Sequence, residues 1–341
     1  MDDLILFYPL GHQGHFKMGH PERPERVEVI WAALQKTAWW ESTVQASPVE
    51  ISDRVLNAVH SPAYLNLLEL SCRRGGQLDS DTYTTSKSWQ LAHQAAGGAI
   101  TVADAVWQRL AKRGLALCRP PGHHAMRGQG MGFCLLNNIA LAAEYLIREK
   151  AAQRLAIVDL DLHHGNGTQD IFWRRPDVFY ISTHQSPFYP GSGWLDEVGE
   201  GAGLDTTANF PLPPGSGDTA YLTILDSLIL PLLESYKPEM ILVSYGFDIH
   251  WLDPLGQLLA TADGYARILE KLASWSDAHC QGRLAIILEG GYDLEAAEVC
   301  TLAVTNAILG EVWDDPLGES PYVENEAWRG MVRRAKELWK L

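Results

Sequence analysis

Cysteine is scarce in this 341-residue chain and poorly spaced for any framework. Cys72, Cys118, Cys134, Cys280 and Cys300 are odd in number and hold no C-x-x-C pair. That excludes a disulfide scaffold and a cysteine-ligated zinc site, and leaves Cys134 as a small buried hydrophobe. No apolar run approaches the roughly 18 residues that a spanning helix needs. Asp2 and Asp3 precede only a short apolar run, the wrong charge and length for a signal peptide. Positive charge is also in deficit, 27 Lys and Arg against 42 Asp and Glu, for a formal net charge of −15. Binding a phosphate backbone demands clustered basic residues, so direct nucleic-acid recognition is not expected. The expectation is a cytoplasmic protein with no membrane association, whose acidic surface favours cationic ligands such as Lys-rich peptides or polyamines.

What is present is alternation. Hydrophobic residues make up 46% of the chain and charged residues 20%, ample for a large core. Apolar runs at 4–8, 115–118, 155–159, 178–182, 240–244 and 284–288 read as strands. Helical periodicity covers 27–34, 62–72, 87–112, a segment starting at Asn137, 219–234, 262–278, 294–309 and 326–339. Residues 75–86 form a polar loop, and a long Gly/Pro-rich loop runs from Thr183 to about Asp218. The pattern predicts one α/β domain, a parallel sheet with helices on both faces. Its core spans about 4–310, and a helical tail follows over about 311–341.

The chemistry collects where strands end. The stretch Val158–Gly167 passes from an apolar strand into alternating Asp and His and then two glycines. Residues two apart on a strand share a face, so Asp161 and His163 point the same way. Three other apolar runs lead to His123-His124, to Asp248 and to Tyr292. In a parallel sheet with right-handed crossovers, all four exits lie on one edge, where open α/β sheets bind ligands. Asp161, His163 and Asp248 offer two carboxylates and an imidazole with open positions, a set suited to catalytic zinc. Zinc would acidify a water and polarise a carbonyl, paired histidines would move protons, and a Tyr hydroxyl would stabilise an oxyanion. The assembly predicts metal-assisted amide hydrolysis. Singly, each motif has a plainer reading: a satisfied His pair in a turn, a strand-to-helix turn at 289–292, a helix cap at Asp248.

Eight stretches, in order along the chain, carry a family resemblance: HPERPER (20–26), RPPGHHA (119–125), GFCLLNN (132–138), DLDLHHGNGTQ (159–169), STH (182–184), NFPLPPGSGD (209–218), SYGFDIHWLDPLG (244–256) and LEGGYDLE (288–295). The chain resembles the zinc-dependent histone deacetylase superfamily, particularly its class II and bacterial deacetylase-like amidohydrolase branch. The resemblance implies the arginase/deacetylase fold, with an eight-stranded parallel sheet, and removal of acetyl or other short acyl groups from lysine in proteins or peptides. It makes Asp161, His163 and Asp248 the zinc ligands. His123 and His124 become the tandem histidines, backed by Asp159 and Asn166, and His124 is the better candidate for moving the proton. The neutral Asn166 would raise the pKa of His124 less than a carboxylate does. Tyr292 matches the catalytic Tyr. Phe133 and Tyr189 would wall the acyl-lysine tunnel, with the Gly132 carbonyl receiving the substrate N–H; Tyr189 stands where Phe is more usual. Arg26 matches the residue lining an internal acetate channel, and Asp81 rather than Asp79 aligns with a rim carboxylate. A potassium ion beside the zinc would use Asp159, Asp161, His163, Ser182 and Thr183, partly through carbonyls. A second potassium site is possible around Phe172 and Val178.

Three rival readings stand beside this one. An arginase-like ureohydrolase would need further carboxylates for a second metal. An acetylpolyamine hydrolase, acting on an acetylated small amine, would place a carboxylate in the loop Asp253-Pro254-Leu255-Gly256, where Leu255 offers none. A non-catalytic acyl-lysine or acetate binding module would not need Tyr292 and both histidines. An oligomer is compatible with the sequence.

Overall fold

The central strands form where aliphatic runs can be covered on both sides. In the computed structural model, which describes residues 2–341, the strands are β1 (Asp2–Phe7), β2 (Thr43–Ala46), β3 (Gly76–Gln77), β4 (Tyr83–Thr84), β5 (Ala111–Ala116), β6 (Leu155–Asp159), β7 (Val178–Gln185), β8 (Thr207–Leu212), β9 (Met240–Tyr245) and β10 (Leu284–Leu288). Eight make one sheet in the order β2-β1-β5-β10-β9-β6-β7-β8, parallel throughout. Strands β3 and β4 pair as a small antiparallel hairpin inside the loop expected at 75–86.

Every residue of β6, β9 and β10 is buried, as expected for parallel strands covered on both faces. Their side chains alternate between two cores. Ala156, Val158, Leu284, Ile286 and Leu288 pack with the helices Glu25–Leu34, Ala262–His279 and Leu294–Leu309. Leu155, Ile157, Ala285 and Ile287 pack with Ser88–Trp107 and Asn138–Lys150. The final helix, Arg329–Trp339, joins the first core through Met331, Val332 and Ala335, with Trp328 buried just ahead of it. Among the described residues, no helix is long and apolar enough to cross a membrane.

The sheet has two strands that apolar runs do not announce. β2 (TVQA) and β8 (TANFPL) are its two edges. An edge strand pairs on one side only, so it tolerates polar residues, and in β8 also Pro211. The helix expected over 87–112 stops at Trp107. Arg109 turns at φ 61°, and residues 111–116 are drawn into pairing with β1 and β10. Tertiary pairing there overrides local helix preference.

Four neighbouring central strands, β5, β10, β9 and β6, deliver the chemistry-bearing exits. The expected single edge is therefore also a contiguous one.

Candidate active site

Asp161 and His163 follow β6, and Asp248 follows β9, its neighbour in the sheet. One ligand atom from each lies within 4.8 Å of the other two. His163 Nδ1 sits 3.2 Å from Asp161 Oδ1 and 3.4 Å from Asp248 Oδ2. Backbone N–H groups aim the carboxylates. His163 and Gly290 donate to the two oxygens of Asp161, each at 2.8 Å, and Leu162 donates to Asp248 Oδ1 at 3.0 Å. Among the described residues no hydrogen bond of good geometry reaches the buried Asp248 Oδ2, and its ion-pair neighbour is His163 Nδ1 at 3.4 Å. A carboxylate oxygen without such a bond is costly in a protein interior unless something cationic meets it. Gly290 has no side chain for a geometric reason: a Cβ there would press into both carboxylates. Two oxygens and one imidazole nitrogen fit zinc. Among the described residues this is the one such cluster of three.

The electrostatics follow from burial and charge together. Burial alone would raise the Asp161 carboxyl, but His123 and His163 outweigh it and hold Asp161 well below the usual carboxylate range. Asp248 is raised by burial and by the charge of Asp161. Burial pulls the His163 imidazole down, yet the two carboxylates override it and push its pKa up to about 9.

The tandem histidines come from the turn after β5, their rings 4.1 Å apart. His123 Nδ1 lies 3.1 Å from Asp159 Oδ2, which also accepts the Tyr180 hydroxyl at 3.0 Å. Burial lowers His123, but Asp161 and Asp159 more than compensate and raise it to about 10. His124 Nδ1 lies 2.8 Å from Asn166 Oδ1, while the Asn166 amide donates to Met131 Sδ at 3.4 Å. The N–H must then sit on Nδ1, leaving Nε2 bare. Burial, with positive charge on His123 and His163, holds His124 well below its ordinary value. One ring is thus kept charged and the other neutral, the separation that divides acid from base.

Aromatic rings enclose the cluster. Phe133 meets Tyr292 edge-on at 5.8 Å, and Tyr189 meets His124 at 5.2 Å and His163 at 6.1 Å. Tyr189 is 37% exposed, so it also forms part of the rim. Gly132 adopts φ 54°, and a Cβ there would press on the His124 ring and Tyr189. Tyr292 is buried, and burial raises its phenol well above the ordinary value, so the hydroxyl keeps its proton. Leu255 is half-buried on the loop that follows Asp248.

The loop 79–82 separates its two acids. Asp79 Oδ1 accepts the N–H groups of Asp81 and Thr82 at 3.1 and 2.6 Å, so that carboxylate closes the turn. Asp81 is the charge that, after burial, most raises the Tyr189 phenol. Arg26 is fully buried. It donates to the carbonyls of Gly291 and Glu289 and to Glu22, with its guanidinium 4.9 Å from the Tyr292 ring centre. Ser182 pairs with Asp159 across β6 and β7, and its hydroxyl meets His184 Nδ1 at 2.9 Å. Thr183 points its side chain to the opposite face of β7, where the hydroxyl is buried without a partner.

Three supporting residues escape the motif reading. Buried Glu289 accepts the N–H groups of Gly122 and His123 at 2.7 and 3.0 Å and is pushed up to about 7, chiefly by burial. Tyr180 binds Asp159, and Asp253 accepts the Tyr292 N–H at 2.6 Å. Glu289 had one available signal, an acid set between a buried strand and two glycines. Tyr180 looks like any other strand aromatic, and Asp253 like any other loop acid.

A sequence profile of the histone deacetylase domain matches residues 20–308. The chain is 42% identical over 294 residues to a probable deacetylase of Archaeoglobus fulgidus, covering 85% of this chain and 82% of that one. It is 36% identical over 325 residues to the histone deacetylase-like amidohydrolase of Pseudomonas aeruginosa, covering 94% and 86%. The crystal structure of the HDA15 HD domain superposes with a TM-score of 0.88 at 33% identity, covering 99% of this chain and 94% of that one.

Proposed function

The chain belongs to the histone deacetylase family and is an amide-hydrolysing deacetylase; from that premise we propose that it uses one zinc ion to remove acetyl or other short acyl groups from lysine Nε in proteins or peptides. The observation that carries this reading is the buried Asp248 Oδ2, reached by no well-formed hydrogen bond and grouped with Asp161 and His163 beside a neutral His124 and a protonated Tyr292.

Asp161, His163 and Asp248 would hold the zinc, which when bound supplies a Lewis acid that acidifies water and polarises the scissile carbonyl. His124, bare at Nε2, accepts the proton from the attacking water and returns it to the leaving lysine amine. Asn166 fixes the tautomer that makes this possible. Asp159 orients His123. The Tyr292 hydroxyl donates to the oxyanion as it develops. Phe133 and Tyr189 flank the four-methylene lysine stem, the Gly132 carbonyl accepts the substrate N–H, and Asp81 meets the substrate backbone at the rim. Arg26, bonded to the Glu289 and Gly291 carbonyls, would line the internal channel by which acetate leaves. A potassium ion held by Asp159, Asp161, His163, Ser182 and Thr183 would steady the zinc-bearing loop.

Lysine is favoured over polyamine because Leu255 brings no counter-charge for a distal ammonium. The test is turnover of the zinc-loaded enzyme on acetyl-, propionyl- and longer acyl-lysine peptides beside N-acetylated polyamines. Peptides should show the higher kcat/KM, and Leu255→Glu should move the preference toward acetylspermidine. A wild-type preference for acetylpolyamines would refute the lysine assignment and make the acidic rim the reader of the cation.

A further inference from the structure

We infer that Asp253 is the positioning residue for Tyr292, a buried clamp that ties its backbone to the loop following Asp248. The inference rests on the functional reading above for its kinetic consequences, but its geometry stands alone. Asp253 is 5% exposed and forms no ion pair among the described residues. Its three partners are backbone N–H groups. Oδ2 accepts from Tyr292 at 2.6 Å and Asp293 at 3.2 Å, and Oδ1 accepts from Leu255 at 3.0 Å. Burying a carboxylate is expensive, and these N–H bonds offset only part of the cost, since burial and the charge of Asp248 push Asp253 up to about 7.

Tyr292 needs such an anchor. It follows Gly290-Gly291, and Gly291 sits at φ 105°, so the chain just before it carries no side chain that packing could fix. The helix Leu294–Leu309 already has its own cap, Asp293, whose side chain accepts the Ala296 N–H at 2.8 Å. Asp253 is therefore not needed to start that helix. Arg26 grips the carbonyls of Glu289 and Gly291 on one side, and Asp253 grips the N–H groups of Tyr292 and Asp293 on the other. Both clamps hold the Gly291–Tyr292 peptide group, Arg26 at its carbonyl and Asp253 at its N–H. One loop thus carries the candidate metal ligand Asp248, the clamp Asp253 and the half-buried Leu255. A single carboxylate ties that loop to the Tyr292 backbone.

The substitution Asp253→Asn keeps the shape but leaves one acceptor oxygen for two sets of donors. It should lower kcat by about 10- to 100-fold, the scale of a misplacement near 1 Å, with little change in KM and unchanged zinc content. In a Tyr292→Phe background the same change should cost less than about twofold, because groups acting as one unit are non-additive. Losses that multiply in the double variant, or an Asp253→Asn enzyme of normal kcat, would overturn the inference. A second measurement needs neither turnover nor a variant. Amide hydrogen exchange of the wild-type protein should show Tyr292 and Asp293 protected like the core strands. Exchange at free-loop rates there would overturn the clamp even if Asp253→Asn fails to fold. If no acyl-lysine or acetylpolyamine is turned over, the functional reading fails, and hydrogen exchange still decides the clamp.

Discussion

Zinc entering this site must expel a proton. His163 Nδ1 lies 3.2 Å from one carboxylate and 3.4 Å from another, and although burial opposes charge, the pair pushes the imidazole up to about 9. At pH 7 the metal-free ring therefore carries a proton at the atom that must bind the cation. A gap of about two units corresponds to about 2.7 kcal/mol at 1.36 kcal/mol per unit. The apparent zinc dissociation constant should accordingly fall about tenfold per pH unit from pH 7 to near 9 and then level off. Chelator competition across that range measures the slope. Calorimetry in buffers of different ionisation enthalpy should count about one proton released per zinc at pH 7. Asp248→Asn removes one of the charges that raise the ring, so the slope should flatten while binding weakens at every pH. An affinity independent of pH between 7 and 9, with no proton released, would show that the ring is already neutral and refute the argument.

The same histidines set the stability of the metal-free protein. Their folded pKa values, about 10 for His123 and about 9 for His163, lie above the ordinary 6.5. Their contribution is thus complete below pH 6.5 and lost as pH rises through 9 to 10. Melting temperatures in chelator should fall across that window, and a rise would contradict the assignment of charge. Tyr292→Phe should keep one zinc per chain while kcat falls by about 10²–10³, the usual worth of one oxyanion donor; near-normal turnover would make the hydroxyl structural.

The central strands were legible because parallel strands buried on both faces must be written as unbroken apolar runs, as in Leu155–Val158 and Leu284–Leu288. That the site's side chains gather at one edge was legible for a related reason. Asp161, His163, Asp248, His123, His124 and Tyr292 stand directly after such runs, where a parallel sheet gathers its carboxyl ends. The edges were not legible, since β2 and β8 pair on one side only and carry Thr, Gln, Asn and Pro that look like loop. Residues 108–112 misled because Ala111, Lys112 and Arg113 suit a helix, and only pairing with β1 and β10 makes them extended. Alignment alone favours Asp81 over Asp79 at the rim, and the turn supplies the physical difference, since its N–H groups engage the Asp79 carboxylate.

What the motifs could not convey is how the four exits are fastened together. The exits are joined by carboxylates taking the backbone N–H groups of another exit. Gly290, after β10, donates to Asp161, after β6. Leu162, after β6, donates to Asp248, after β9. Gly122 and His123, after β5, donate to Glu289, after β10. Tyr292, after β10, donates to Asp253, after β9. Peptide N–H groups exist at almost every position, so such bonds leave no mark on the identity of the donor, and only the acid can be seen in a sequence. The acids therefore divide into two kinds that look alike on the page. Asp248 keeps one oxygen free of well-formed hydrogen bonds and can bind a cation, whereas Glu289 and Asp253 engage both of theirs within the protein. Of these three acids only Asp248 joins Asp161 and His163 in the metal-ligating cluster, and the other two hold still the histidines and the tyrosine that work beside it.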